Sequence, residues 1–243
     1  MNKEIQTIDG SNTLFSTKYN QHFHDLKTGA IKESLNKHVI PALRLKKDLK
    51  KLKILDICFG IGYNTFSTIY YILENNLDIN LEIYSPELDE DLIKSLDKFT
   101  FPKEFEKIKH IINSIAKNFF YEDEKIKIEV FIGDARKYIK TLNDIDIVYQ
   151  DAFSSEVNKE LWSVEYFQDI FKLCKDNAIM TTYSISSNVR LSMYEAGFFI
   201  YEINPSGNRK QTIALKSKKD IEAKYIDMEL KKSRNKEAKA FYD

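Results

Sequence analysis

The sequence predicts an α/β protein with a mostly parallel, doubly wound sheet. Three observations carry this. Short apolar runs alternate with segments of helical period over residues 30–216, the pattern of a parallel sheet with helices on both faces. Those runs end on glycine or acid: Gly60-Ile61-Gly62, Glu87, Gly133-Asp134 and Asp151. Two neighbouring apolar runs close the pattern, which predicts an antiparallel edge strand.

The elements follow in order. Residues 1–30 are polar and turn-rich, with irregular apolar spacing at Leu14, Phe15, Tyr19 and Phe23, and read as an irregular or hairpin-like arm. From Ala30 to about Leu52, residues Ile31, Leu35, Val39, Leu43 and Leu49 share a helix face, with Pro41 dividing the segment. Lys53–Phe59 is a buried-strand run, and a helix follows through Phe66, Ile69 and Leu73. Strands are expected at Leu81–Ser85, Ile126–Ile132, Asp146–Gln150 and Ala178–Tyr183. Helices are expected around 88–98, 105–121, 136–142, 163–175 and 187–196. Phe198–Ile203 and Gln211–Lys216 form the closing pair around Pro205–Asn208. The organisation is an N-terminal arm and helix over 1–52, a Rossmann-like domain over 53–216, and a charged extension over 217–243, read as an exposed helix or a frayed tail.

Composition narrows the function. Of 243 residues, 43% are hydrophobic and 30% charged, so a core forms and global disorder is excluded. Thirty-seven basic against 37 acidic residues exclude a tail-driven nucleic-acid binder but leave a local basic face open. The run Arg44–Lys53, with six basic residues and one acid, is either a solvated helix face or a phosphate contact. Cys58 and Cys174 are too few for a disulfide scaffold or a four-cysteine zinc site, and none of the four histidines has zinc spacing, so no metal is expected. No apolar run reaches membrane-spanning length and the start is polar, so a cytoplasmic protein with no membrane partner is expected.

Glycine is scarce: 7 residues, where average usage of roughly 7% gives about 17. Each one left is expected where the backbone needs positive φ or close approach. After the first strand, Gly60 and Gly62 let the chain approach a ligand. The dinucleotide fingerprint wants a third glycine where Thr65 stands, which argues against NAD or FAD. Glu87, after the second strand, suits the two hydroxyls of a ribose, while Asp89 reads as a helix cap. Asp134 suits an adenine amino group or caps the next helix, and Ala135 leaves room for a ring. Asp151 suits an amine nucleophile and its proton, or a turn. Four such signals in order describe the Rossmann-like class I methyltransferases that use S-adenosylmethionine.

The chain resembles a narrower family, the methyltransferase domain of the MnmC tRNA 5-methylaminomethyl-2-thiouridine biosynthesis enzymes, over roughly residues 7–216. The specific segments are Phe59-Gly60-Ile61-Gly62-Tyr63-Asn64 and Asp151-Ala152-Phe153 with Leu161-Trp162. Thr7–Ser11, Phe23-His24, Thr182-Tyr183-Ser184, Val189-Arg190 and Asn208-Arg209-Lys210 support them. The resemblance implies methylation of a 5-aminomethyl uridine at the wobble position of tRNA. It implies Asp151 as the catalytic residue. It implies cofactor contacts at Phe59, Gly60, Gly62, Tyr63, Asn64, Glu87, Asp134 and Ala135, with His24 and Glu33 of the arm. Substrate contacts are expected at Phe153, Tyr183, Arg209 and Lys210. His24 either packs under the arm or touches the cofactor; Trp162 is a core aromatic or a stacking platform.

Two departures stand out. Cys58 occupies a position where glycine is common in the family, and Ser154-Ser155-Glu156 replaces a more proline- and lysine-containing stretch. The length leaves no room for the FAD-dependent oxidase domain of many relatives, so no FAD and no carboxymethyl removal are expected. Two other classes fit the same strand-end residues: an aminopropyltransferase of the spermidine-synthase kind, and a non-catalytic tRNA-binding module.

Overall fold

The computed structural model describes residues 3–204 and 209–243; the Pro205–Asn208 turn expected between the last strands lies outside them. The chain divides into two compact units, 1–135 and 136–243.

The first unit opens with a small antiparallel sheet, β1 (Glu4–Gln6), β2 (Asn12–Ser16) and β3 (Gln21–His22), in that order. This is the hairpin-like arm. It is stapled to α1 (Ala30–Ser34) by two side chains. Asp9 Oδ2 accepts from Lys32 N at 3.1 Å and Ser11 Oγ from Ala30 N at 3.0 Å, which satisfies amides that a helix start leaves open. Burial works to raise the Asp9 pKa, but bonds from Ser11, Lys32 and Thr7 outweigh it and hold the carboxyl below its ordinary value. Gly29 adopts φ +96°, and a Cβ there would lie 2.0 Å from Asp9 Cγ.

Helix α1 runs through one wider π-type turn, Leu35–Val39, into α2 (Ile40–Leu45). Pro41 explains the turn: it has no N–H to give the carbonyl four residues back, and Ile40 N bonds Leu35 O, five residues back, instead. The helical segment therefore stops at Leu45, short of the expected Leu52.

Three parallel strands follow: β4 (Lys51–Ile57), β5 (Asn80–Glu87) and β7 (Ile126–Ile132), in the order β4-β5-β7, with short β6 (Phe120–Glu122) antiparallel at the edge. Ile54, Leu55, Ile57, Ile83 and Ile128 are fully buried. Helices α3 (Tyr63–Glu74), α4 (Glu90–Lys94) and α5 (Lys109–Asn118) complete the unit. Phe66 of α3 packs edge-on against Phe59, Phe101 and Phe105 at 5.5–6.0 Å between centroids, an arrangement suited to aromatic quadrupoles. It fixes the start of α3 behind the glycine turn.

The second unit contains α6 (from Ala135 to Tyr138), β8 (Ile145–Gln150), α7 (Val164–Leu173), β9 (Cys174–Thr182), α8 (Ser187–Glu195), β10 (Phe199–Ile203) and β11 (Gln211–Leu215). They are followed by β12 (Lys224–Tyr225) and α9 (Met228–Arg234). Its strand order is β8-β9-β11-β10-β12. β8 and β9 are parallel, β11 is antiparallel to both β9 and β10, and β12 forms an antiparallel edge. The antiparallel edge is thus present. The β11 segment lies inside it, filling a slot between two strands that precede it in the chain.

Residues after 217 carry an exposed helix, α9, and continue in a packed strap rather than a frayed tail. Val164 N donates to Phe241 O and Phe241 N to Ser192 Oγ, each at 2.8 Å. Asp243 accepts two bonds from the Arg136 guanidinium, at 2.9 and 2.5 Å, and one from Ser163 Oγ at 2.6 Å.

Candidate active site

In the first unit the strand-end signals converge on Glu87. Its Oε2 accepts from Gly60 N at 2.9 Å; its Oε1 accepts from Leu88 N and Asp89 N at 2.7 and 2.9 Å. Its backbone carbonyl accepts from Gly133 N at 2.8 Å, and Phe59 N donates to Pro86 O at 3.1 Å. One residue therefore ties together the three turns Phe59–Gly62, Glu87–Asp89 and Gly133–Ala135. Burial raises the Glu87 pKa, helped by the Asp89 charge, and the three amides only partly offset it. A carboxylate left in deficit has use for a further donor, and Oε2, which accepts a single amide, keeps an acceptor site for one. A ribose hydroxyl is such a donor. Asp89 caps α4, accepting from Leu92 N at 2.9 Å. Asp134 is exposed beside buried Ala135.

The glycine turn is left-handed at both glycines, Gly60 at φ +56° and Gly62 at +80°. Cys58 joins them at φ +64°. The departure from glycine leaves the backbone where glycine would put it, at the cost of strain for a residue with a Cβ. The reversal at Cys58 also ends β4 at Ile57, so Phe59 leaves the strand and enters the aromatic core, 4% exposed. A Cβ on Gly62 would lie 2.5 Å from Phe66 and 2.8 Å from Phe59. Gly62 therefore serves ring packing directly. A Cβ on Gly60 would stand 3.1 Å from Phe23 of the arm, which is seated over the turn.

Several carried-over cofactor residues face inward. The Tyr63 hydroxyl donates to Asn12 O at 2.7 Å and its ring is 1% exposed; burial drives its pKa upward. Asn64 Nδ2 and Thr65 Oγ1 reach Asp56 at 3.4 and 2.8 Å, locking the first turn of α3 to β4. His24 packs under the arm, edge-on to Tyr63 at 4.8 Å, with Nδ1 3.1 Å from Thr13 Oγ1. Glu33 is engaged by Asp25 N at 2.6 Å and by the Lys37 ammonium. The polar atoms of Tyr63, Asn64 and Glu33 and the His24 ring are taken up by packing, while Gly60, Glu87 and Asp134 lie on the turns. Lys18 of the arm, whose pKa Tyr19 raises first, also feels the Asp89 and Glu87 carboxylates.

In the second unit the residues around Asp151 form one fixed loop. Trp162 is fully buried and its Nε1 donates to Phe153 O at 2.8 Å. The Tyr183 hydroxyl donates to Ala152 O at 3.0 Å, and the Trp162 and Tyr183 rings meet edge-on at 5.9 Å. Gln150, fully buried, donates to Leu161 O at 2.9 Å and accepts from the Tyr166 hydroxyl at 2.7 Å. Trp162 is thus a core aromatic, and both carbonyls after Asp151 are pinned. Arg209 is exposed; Lys210 pairs with Glu202 at 2.9 Å.

The basic run Arg44–Lys53 is split. Lys46 is buried, Lys50 and Lys51 pair with Asp78 and Glu82 at 3.7 and 2.7 Å, and Lys53 lies over the Tyr84 ring at 5.1 Å. Arg44 and Lys47 stay exposed. Asp56 and Tyr166 were not singled out by their sequence context; an acid inside the apolar run of β4 was the available signal for the first. Among the described residues no group of acids, histidines and cysteines is arranged to hold a metal ion, and no helix is long and apolar enough to cross a membrane.

Comparison with known proteins decides the family. The crystal structure of MnmC2 from Aquifex aeolicus is 31% identical, covers 100% of this chain and 79% of its own, and superposes with a TM-score of 0.85. The chain belongs to the MnmC methyltransferase family. A family model described as S-adenosyl-L-methionine-dependent methyltransferase matches residues 102–218. The tRNA 5-methylaminomethyl-2-thiouridine biosynthesis bifunctional protein MnmC of Campylobacter fetus is 25% identical over 80% of this chain and 33% of its own length. An uncharacterised protein of Methanocaldococcus jannaschii is 31% identical over 87% of this chain and 58% of its own. The chain thus spans about a third to somewhat over half the length of these two relatives. The chain is a class I methyltransferase domain with S-adenosylmethionine as cofactor.

Proposed function

We propose that the protein methylates the amine of a 5-aminomethyl uridine, with or without a 2-thio group, at the wobble position of tRNA. The observation that carries the reading is the pinned Asp151-Ala152-Phe153 loop in a chain that matches MnmC2 along its whole length. S-adenosylmethionine, when bound, supplies a methyl group on a positively charged sulfur. Gly60, Glu87, Asp134 and Ala135 would hold it. The chain's own work lies on the acceptor side. An alkyl amine is largely protonated at neutral pH, so its lone pair must be freed. The Asp151 carboxylate takes that proton, directly or through water, and holds the nitrogen on line. Trp162 and Tyr183 fix the loop so that the carboxylate does not have to be ordered at the moment of reaction.

The test is to incubate the protein with labelled methyl donor and tRNA carrying 5-aminomethyl uridine, digest, and identify the nucleosides by mass spectrometry. Labelled 5-methylaminomethyl uridine is the expected product. Label absent from that nucleoside, or found on another, refutes the reading. Label on a polyamine would favour a different transferase.

A further inference from the structure

We propose that Lys210 and Lys231, backed by Arg190 and gathered around Glu202, form a subsite for a backbone phosphate of RNA, beside the nucleotide that Asp151 engages. The inference rests on the tRNA reading above.

Arg190, on α8, is 2% exposed. Its Nε donates to Thr212 Oγ1 at 2.9 Å and its Nη1 to Glu202 Oε2 at 3.1 Å. Its Nη2 is buried with no hydrogen-bond partner. A guanidinium keeps its charge at any ordinary pH, so this is a permanent, incompletely satisfied cation. The other oxygen of Glu202 is taken by Lys210 Nζ at 2.9 Å. Lys231 of α9 lies within electrostatic reach of the three. Its pKa is lowered by burial and by the Arg190 and Lys210 charges, against the pull of Glu202. Arg190 and Lys210 share the one carboxylate, so the pair carries one positive charge beyond it. An internal salt bridge would be balanced; this one is poised for an anion with more than one oxygen to offer.

Its position says which anion. The Thr212 hydroxyl that receives Arg190 Nε donates to Ser184 O at 2.6 Å. Ser184 follows Tyr183, whose hydroxyl holds Ala152 beside Asp151. The cluster and Asp151 therefore lie on one strand-end edge, joined through β11 and β9. From β8 to β10 is three steps in the sheet, roughly 14 Å at about 4.8 Å per step. Lys210, 55% exposed, opens the cluster to solvent. A nucleic-acid chain entering a methyl-transfer site along this edge carries a phosphodiester past it, and Lys and Arg contacts to such phosphates set register rather than sequence.

Arg190 is buried and its replacement endangers the fold, so the test uses Lys210→Gln, Lys231→Gln and the double variant of the full chain. Affinity for unmodified tRNA is measured by fluorescence anisotropy across a salt series, and S-adenosylmethionine affinity by calorimetry. Each substitution should weaken tRNA binding roughly fivefold at low salt and reduce the log–log salt slope by about 0.7–0.9. Cofactor affinity should not move. Wild-type tRNA affinity and slope in the double variant overturn the subsite while leaving the tRNA reading intact. A wild-type chain that binds no tRNA overturns both. A parallel loss of cofactor affinity assigns the lysines to the fold and also overturns the subsite.

Discussion

Glu87→Gln tests the proposed role of Glu87 in holding the cofactor's ribose. The substitution keeps the shape and one acceptor oxygen but removes the charge and replaces the other oxygen with a donor. In the wild type Oε2 serves Gly60 N and Oε1 serves two further amides. The Gln variant cannot satisfy Gly60 N and Leu88 N together, and it offers a ribose hydroxyl no charged acceptor. Bonds to a charged acceptor contribute about 1.5–3 kcal/mol against about 0.5–1.5 for neutral ones. One ribose bond therefore loses about 1–1.4 kcal/mol, roughly five- to tenfold in affinity. Calorimetry with S-adenosylmethionine reads this directly. The pH dependence supplies a second reading. Burial raises the Glu87 pKa above its ordinary 4.5, and the ligand needs the charged form. Affinity should be full above the raised pKa and fall as pH drops through it, beginning at a higher pH than an ordinary glutamate would give. For folding the sign is opposite: the raised value favours the protonated folded state, so that contribution is present at low pH and is lost as pH rises through the folded value. In the Gln variant the acidic fall in affinity should vanish. Unchanged affinity in that variant, or the same acidic fall, refutes the assignment.

Three further outcomes are expected. Asp151→Ala should lower single-turnover methylation of aminomethyl-uridine tRNA by about a hundredfold or more while cofactor affinity and thermal stability hold; Asp151→Asn separates orientation from proton acceptance, and near-wild-type rates in both return Asp151 to a turn residue. Tyr183→Phe removes the bond to Ala152 O, worth about 1 kcal/mol, and should lower the turnover rate more than tRNA affinity; a change in affinity alone would make Tyr183 a simple substrate contact. Cys58→Gly should relieve about 1–2 kcal/mol of left-handed strain against about 0.5–1 kcal/mol of added chain entropy; scanning calorimetry should show a rise of about 2 °C, and a fall would mean that the thiol packs better than its backbone is strained.

The parallel strands were legible because a buried strand is apolar on both faces and stops where the chain must turn. β5, β7, β8 and β9 lie close to their expected places, and Glu87, Gly133 and Asp151 mark strand ends. β4 lies two residues earlier than expected at each end; its C-terminal end is hidden in the sequence because the apolar run continues into Phe59, whose ring reaches the core from the turn. The slot of β11 between β9 and β10 depends on pairings with no local signature. Two- and three-residue strands such as β12 and β6 carry too little pattern to be seen. Among the candidate site residues, the residue types marked the turns at Gly60, Glu87 and Asp134 but not how the others are used: Tyr63 and Asn64 of the motif and Glu33 of the arm turn their polar atoms inward to Asn12, Asp56 and Asp25, a choice that only tertiary packing makes.

The contact between Asp9 and Gly29 bears on how this chain can change over generations. The Asp9 carboxylate occupies the space in which any side chain at position 29 would begin, 2.0 Å from its Cγ, and it also holds the start of α1. The two positions therefore form one heritable unit. A lineage that places a side chain at 29 first has to shorten residue 9, and in doing so it uncaps the helix and loosens the arm seated on the glycine turn. Mutational drift through this pair is ordered, with a costly intermediate whichever residue moves first. Among relatives the arm should tolerate substitution freely on its exposed face and only as a coordinated double change here.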